Sequence, residues 1–239
     1  MDGPKVDSSF WIFDSLFTPQ DHPAREMQDT FFLKDMEGEI SDSSLLNSVR
    51  KAHETGVSKG KGWNYTWDQE IAQKMVLRTH TTGLSARKIH ELKDENQKGK
   101  YFAIGRVFRN ETIDSSHLFE FNQTEGIIMD ENANFQSLLG YLKIFLEKMG
   151  FKKIRFRPHF FPYTEPSVEA DIFNDEKNKW VEILGAGILR PEVVVPLLGE
   201  NIPVLAWGPG LDRTLMNYYK IKDLRELYKN DIAQLRKIK

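Results

Sequence analysis

Apolar residues recur at steps of three and four between Asn134 and Met149, where Phe135, Leu138, Leu139, Leu142, Phe145, Leu146 and Met149 form one stripe ahead of Gly150. That period is helical, and a glycine is a common helix stop. The same spacing puts Leu45, Leu46, Val49 and Ala52 on one face of a helix predicted over 43–55, closed by Gly56. Elsewhere the period changes to two. Two strands joined by a polar loop are predicted over about 101–129, with further strands at KKIRFRP, WVEILGAGIL and IPVLAWGPG. From Asp68 the pattern is helical at first; IAQKMVLRTH then runs into a turn at TTGLSAR, and a helix resumes to about Leu92. RPEVVVPLL reads as a short helix, and Leu211–Tyr219 opens the closing helices. Residues 56–62, with Lys59 and Lys61, and 93–100 read as lysine-bearing surface loops. Long hairpins with a helix between sets of strands predict an α+β fold, an antiparallel sheet with helices against it.

Composition narrows the field only modestly. The 239 residues are 40% hydrophobic and 28% charged, ordinary for a globular protein of one large or two small domains. The absence of cysteine excludes disulfides, thiolate metal sites and cysteine nucleophiles. No apolar run is long enough to span a bilayer and no secretory leader pattern opens the chain, so a cytoplasmic location is the default expectation. A net charge of −2 argues against holding nucleic acid by bulk electrostatics.

The chemistry concentrates in GRVFRNETIDSSHLFEFNQTEGIIMD, residues 105–130. Val107, Arg109 and Glu111 share one strand parity, and Phe119, Phe121, Gln123 and Glu125 share another. Strand side chains alternate faces, so each set lines one side of its strand. If the two sets share a face, a cation, acids, an amide and a ring converge there. A sheet built only for stability would bury aliphatics at those positions, because buried charge is costly unless paired. The segment therefore predicts a site for a charged ligand that contains a ring.

The spacing FRNE, a loop, then His117, Phe121 and Glu125 at four-residue steps resembles the second motif of class II aminoacyl-tRNA synthetases. GPGLDR at 208–213 resembles their third motif. DHPAREMQDTFF, LRTHTTGLSAR, FFPYTEPSVE and GAGILRPE narrow the resemblance to the alpha subunits of phenylalanyl-tRNA synthetases of the archaeal and eukaryotic type. The resemblance implies a class II antiparallel sheet flanked by helices, with residues 1–239 as one catalytic domain lacking the first-motif helix and the N-terminal tRNA-binding extension. It implies activation of phenylalanine by ATP, with Mg²⁺, and transfer to tRNA(Phe) in an assembly with a beta subunit. It also implies association through the first-motif region, with another copy or with the partner. Without the extension and partner, adenylate formation with poor tRNA charging is the expectation.

Carried over residue by residue, the resemblance assigns Arg109 to the α-phosphate and the amino-acid carboxylate. It assigns Glu111 to the adenine amino group, Phe121 to one adenine face, Arg213 to the other face or to the γ-phosphate, and His117 to the terminal phosphates. Arg109 and Arg213 are the catalytic pair, and Glu182 is the Mg²⁺ ligand. His80, Thr82, Gln123 and Glu125 would hold the ammonium and carboxylate of phenylalanine. Phe161 and Tyr163 would face its ring, with Gly185, Ala186 and Gly187 leaving room. His22 and Arg25 are assigned to organising a loop, outside the chemistry. Three letters depart from the pattern: Asn122 for a frequent His, Asp212 for the usual Glu, and Leu189 for a common Phe. Two other readings stand beside the ligase: a synthetase-like paralog that binds ATP or an amino acid in a regulatory role, and a ligase for another amino acid such as phosphoserine.

Overall fold

A computed structural model describes residues 1–26, 29–58, 60–93, 98–175 and 178–237. Lys59 and 94–97 of the two surface loops lie outside the described residues. The chain enters through β1 (Val6–Ser8) and α1 (Ser9–Ile12), then β2 (Phe32–Glu37) and α2 (Ser43–Thr55). A short helix α3 (Gln69–Gln73), β3 (Lys74–Leu77) and α4 (Thr82–Glu91) follow. The long hairpin β4 (Gly99–Phe108) and β5 (Glu120–Met129) leads to α5 (Phe135–Lys148). Strands β6 (Ile154–Phe161), β7 (Thr164–Asn174) and β8 (Lys179–Leu189) precede α6 (Pro191–Leu198). Strand β9 (Val204–Pro209) turns into α7 (Leu211–Tyr219), and α8 (Ile232–Leu235) lies near the end.

Six strands form one antiparallel sheet in the order β4-β5-β9-β8-β7-β6. Its α5 face buries Leu138, Leu142 and Leu146 against Val168, Ala170, Ile172 and Leu205. These are the alternating inward positions of their strands, as the two-residue period requires. A second core forms around Phe10, Leu16 and Phe17 with α2 and α6, joining Val49, Val193 and Leu197 to Ile127 and Met129 of β5. The sheet's other face is thus only partly filled by apolar packing, and the remainder holds the polar site.

Two expectations are corrected. The helical spacing read through IAQKMVLRTH breaks after Gln73, where β3 pairs with β1 and β2 in a separate three-stranded sheet. Pairing on both sides outweighs a short run of helical spacing, and β-branched Val76 is fully buried there. The TTGLSAR segment is not a turn either, because it forms the first two turns of α4.

The N-terminal segment is fixed by a buried ion pair. Arg25 Nη1 donates to Asp14 Oδ2 at 3.0 Å and to Ser9 Oγ at 3.1 Å, and Nη2 donates to the Thr18 carbonyl. Trp67 Nε1 at 2.7 Å and Gln20 Nε2 at 3.0 Å both donate to Asp14 Oδ1. Arg25 therefore organises its loop, while removal of Asp14 strands its guanidinium in the interior. Asp14→Ala is expected to lower the unfolding free energy by about 3–5 kcal/mol in urea denaturation. A loss below about 1 kcal/mol would contradict this role.

Candidate active site

The hairpin register decides which side chains meet. Ala103 lies opposite Glu125, Gly105 opposite Gln123, and Val107 opposite Phe121. Directly opposed residues share a face, so the two parities read from the sequence do converge. Arg109 continues the β4 line, its N–H donating to the Phe119 carbonyl at 2.9 Å. Its guanidinium carbon lies 5.2 Å from the centroid of Phe121. Arg109 Nε donates to the Thr79 carbonyl at 3.1 Å, and Nη1 is 3.9 Å from Glu111 Oε1.

Arg109 and Glu111 line two cavities at once. The smaller, about 310 Å³, is walled by Phe13, His80, Phe161, Pro162 and Tyr163. The larger, about 1280 Å³, holds His117, Phe121, Gln123, Glu182, Gly185 and Arg213. An aromatic-walled chamber and a broad polar one thus share a common edge, with an arginine at the junction. In the small chamber the rings of Phe161 and Tyr163 stack at 6.0 Å and 21°. Gly185 makes this possible, because a Cβ there would lie 2.5 Å from the Phe161 ring. Burial pushes the Tyr163 hydroxyl up to about 12, and the nearby Glu125 carboxyl adds to the shift. His80 Nδ1 is buried without a partner, and desolvation pulls the imidazole down to about 3, so the ring is neutral.

Next to Gln123 on β5, Glu125 is 3% exposed and receives only hydroxyl groups. Thr81 Oγ1 and Thr82 Oγ1 donate to Oε2 at 3.3 and 3.2 Å, and Ser85 Oγ donates to Oε1 at 3.1 Å. Thr82 and Ser85 are one helical step apart, so α4 aims both at the same carboxylate. Gln123 lies beside it, accepting from the Thr81 N–H at 3.3 Å and donating to the Gly208 carbonyl at 3.4 Å. Gly208 leaves room for both, since a Cβ would fall 3.0 Å from Gln123 Nε2 and 3.1 Å from Glu125 Oε2 and crowd them.

Arg213 sits in the first turn of α7, just after the end of β9 at Pro209 and the bridge residue Gly210. His117 Nδ1 lies 3.0 Å from both oxygens of Asp114 in the β4–β5 loop. Main-chain and side-chain donors from Ser116 and His117 hold the Asp114 carboxyl well below the usual range. Glu182 is an exposed carboxylate on the wall of the large chamber. Asp171, opposite it on β7, is instead engaged by Arg155 at 2.7 Å and Arg157 at 2.6 Å. Among the described residues no group of three or more His, Cys, Asp or Glu could hold a metal ion. A single free carboxylate suits an ion that keeps several waters and takes its other ligands from phosphates, as Mg²⁺ does.

Four assigned residues do not line the chambers: Thr82 and Glu125 are buried and bonded to each other, and Ala186 and Gly187 face elsewhere. Ala186 points to the opposite side of β8 and packs in the α5 core, as strand alternation dictates. Gly187 faces Thr164 and the Pro166 carbonyl. Conversely, His22, assigned only to a loop, lines the small chamber. The sequence reading missed Thr81, Ser85 and Tyr228. Thr81 and Ser85 become visible once TTGLSAR is read as a helix start. Asn122 and Asp212, two of the three departing letters, prove to be hydrogen bonded to each other.

Burial raises the Glu125 carboxyl from an ordinary 4.5 to about 8, and the three hydroxyl donors only partly offset that. Folding therefore takes up a proton between about pH 4.5 and 8, and the linked stability falls as pH rises through that window. Glu125→Gln lacks this dependence. Its melting temperature relative to wild type is expected to be higher at pH 9 than at pH 5, and a difference that does not change with pH would refute the assignment.

The chain matches the family "tRNA synthetases class II core domain (F)" over residues 1–238. It is 52% identical over 238 residues to the phenylalanine–tRNA ligase alpha subunit of Methanocaldococcus jannaschii, covering 98% of this chain and 48% of that protein. It is 51% identical over 236 residues to the corresponding subunit of Methanopyrus kandleri, covering 98% and 45%, respectively. Against that of Methanoculleus marisnigri the identity is 52% over 238 residues, covering 99% and 48%. The chain spans about half the length of the curated relatives it matches. Sheet, chambers and sequence agree: the chain belongs to the class II tRNA synthetase core-domain family.

Proposed function

We propose that residues 1–239 form the catalytic unit of a phenylalanine–tRNA ligase, which joins phenylalanine to ATP and passes the aminoacyl group to tRNA(Phe). The observation that carries this reading is the junction of the two chambers at Arg109. The aromatic chamber takes the amino-acid ring, and the larger one takes the nucleotide. At neutral pH the amino-acid carboxylate is already ionised, so attack needs alignment and charge neutralisation and no general base. A carboxylate oxygen bonds to the α-phosphorus while the bond to the β-phosphate oxygen breaks, releasing pyrophosphate with no net proton transfer. Arg109, at the shared edge, offers a planar fork to one oxygen of each reactant.

In the small chamber Phe161 and Tyr163 present ring edges and faces to the substrate side chain, worth about 0.5–1.5 kcal/mol beyond burial. Gln123, Glu125, Thr82 and His80 define the end that receives the ammonium and carboxylate. Among the described residues the Glu125 carboxyl is bonded to hydroxyls and to no fixed cation, so a substrate ammonium would supply the missing charge. In the large chamber Phe121 and Arg213 take the adenine faces, Glu111 its amino group, and His117 the terminal phosphates. Glu182 would hold Mg²⁺ together with phosphate oxygens, and the ion would supply further charge neutralisation there.

Relatives of twice the length named as alpha subunits support a beta-subunit partner, which with the remaining chain would supply most of the tRNA affinity. Association through the first-motif region and a cytoplasmic site of action belong to the same proposal. No described helix is long and apolar enough to cross a membrane. The test is phenylalanine-dependent ATP–pyrophosphate exchange. Arg109→Ala is expected to reduce it at least about a hundredfold, the scale of losing one fixed charge-stabilising group. Nucleotide binding with no exchange under any of the twenty amino acids would instead mark a regulatory protein.

A further inference from the structure

Phe121 and Arg213 reach the large chamber from elements about ninety residues apart, and their immediate neighbours are bonded to each other. Strand β9 pairs with β5 as far as an isolated bridge between Gln123 and Gly210. One residue further along β5, a side chain takes over from the ladder. The Asn122 N–H donates to Asp212 Oδ2 at 2.8 Å, and Asn122 Nδ2 donates to Asp212 Oδ1 at 3.1 Å. The Tyr228 hydroxyl donates to the same Oδ2 and accepts from Asn122 Nδ2 at 3.2 Å. The three residues form a closed ring of donors and acceptors around a carboxylate only 4% exposed.

A buried carboxylate with both oxygens occupied has one stable location, because displacing it exposes unmatched charge to the interior. Asp212 is therefore a fixed spacer between β5 and the start of α7. Since Phe121 precedes Asn122 and Arg213 follows Asp212, the spacer also sets how far the ring and the guanidinium stand apart. Tyr228 comes from the segment after α7, which is pinned at a second point: the Leu224 N–H donates to the Ser115 carbonyl at 2.8 Å, in the loop that carries His117. Leu224 is itself buried and lines the large chamber.

We propose that Asn122, Asp212 and Tyr228 are a positioning unit that fixes the gap between Phe121 and Arg213, making the segment after α7 a working part of the nucleotide site. The proposal rests on reading the large chamber as the ATP site. It predicts an effect on one ligand and not the other. Phenylalanine is held by Gln123 and Glu125, whose partners are Thr81, Thr82, Ser85 and Gly208, none of them in the ring.

The test is calorimetric titration of the chain with Mg–ATP and, separately, with phenylalanine. Tyr228→Phe removes one hydroxyl and keeps the ring. It is expected to weaken Mg–ATP binding roughly tenfold, the scale of one hydrogen bond to a charged group, with phenylalanine affinity within about twofold of wild type. Asn122→Ala is expected to act in the same direction. The double variant should depart from the product of the two single effects, because both residues serve one carboxylate. Unchanged Mg–ATP affinity, parallel loss of both ligands, or strict independence of the two substitutions would overturn the unit. The outcomes also separate this inference from the proposed function. A wild-type chain that binds Mg–ATP but shows no phenylalanine-dependent exchange sinks the ligase reading alone, and the variants then still decide the spacer. A folded wild-type chain that binds no Mg–ATP overturns both.

Discussion

The antiparallel register of β4 and β5 is the constraint on which the site depends. Gly105 opposite Gln123 and Val107 opposite Phe121 put an amide, a carboxyl and a ring on one face. A slip of one residue would turn Gln123 and Glu125 into the α5 core and bring Thr124 and Gly126 into the chamber. Burial on the α5 face secures this register. Ile128 and Leu205 must stay on that side, packed under Leu138 and Leu142, so the polar set must face the other. The free energy that fixes the chemistry is therefore largely apolar and lies on the opposite side of the sheet.

That division explains how charged groups are tolerated beside a core. Glu125 is surrounded by hydroxyls and lies near neutral Tyr163, so burial favours its protonated form until a cation arrives. Arg109 is the counterpart, half open and lightly tethered by the Thr79 carbonyl, Glu111 and the Phe121 ring. One group waits for positive charge and the other for negative, on either side of a shared edge. An amino acid, carrying both charges a short distance apart, fits that pattern. Further out, the Asn122–Asp212–Tyr228 ring ties β5 and the start of α7 to the end of the described chain.

Much of this was legible in the sequence where one period ran long enough. The stripes of α2 and α5, the paired strands around 105–130 and the helix from Leu211 all lie where periodicity and stop residues place them. Short elements were not legible. Strand β3 has four residues and owes its existence to partners at Val6–Ser8 and Phe32, which no local pattern announces. Reading TTGLSAR as a turn hid the helix face that adds Ser85 to Thr82 at Glu125. Ala186 was grouped with its glycine neighbours because they are adjacent in sequence, although alternation sends it into the core. Tyr228 was invisible for a different reason: its role exists only through contact with a strand about a hundred residues earlier.

The central claim is that one molecule occupies both chambers with its reacting centre at Arg109. The most direct measurement is competition by a non-hydrolysable sulfamoyl analogue of phenylalanyl-adenylate, which carries the amino acid and the nucleoside on a single frame. The account predicts that it displaces phenylalanine and ATP alike and binds at least about a hundredfold tighter than either, because two subsites are filled at the cost of one association. Displacement of only one of them, or affinity no better than that of ATP, would contradict it.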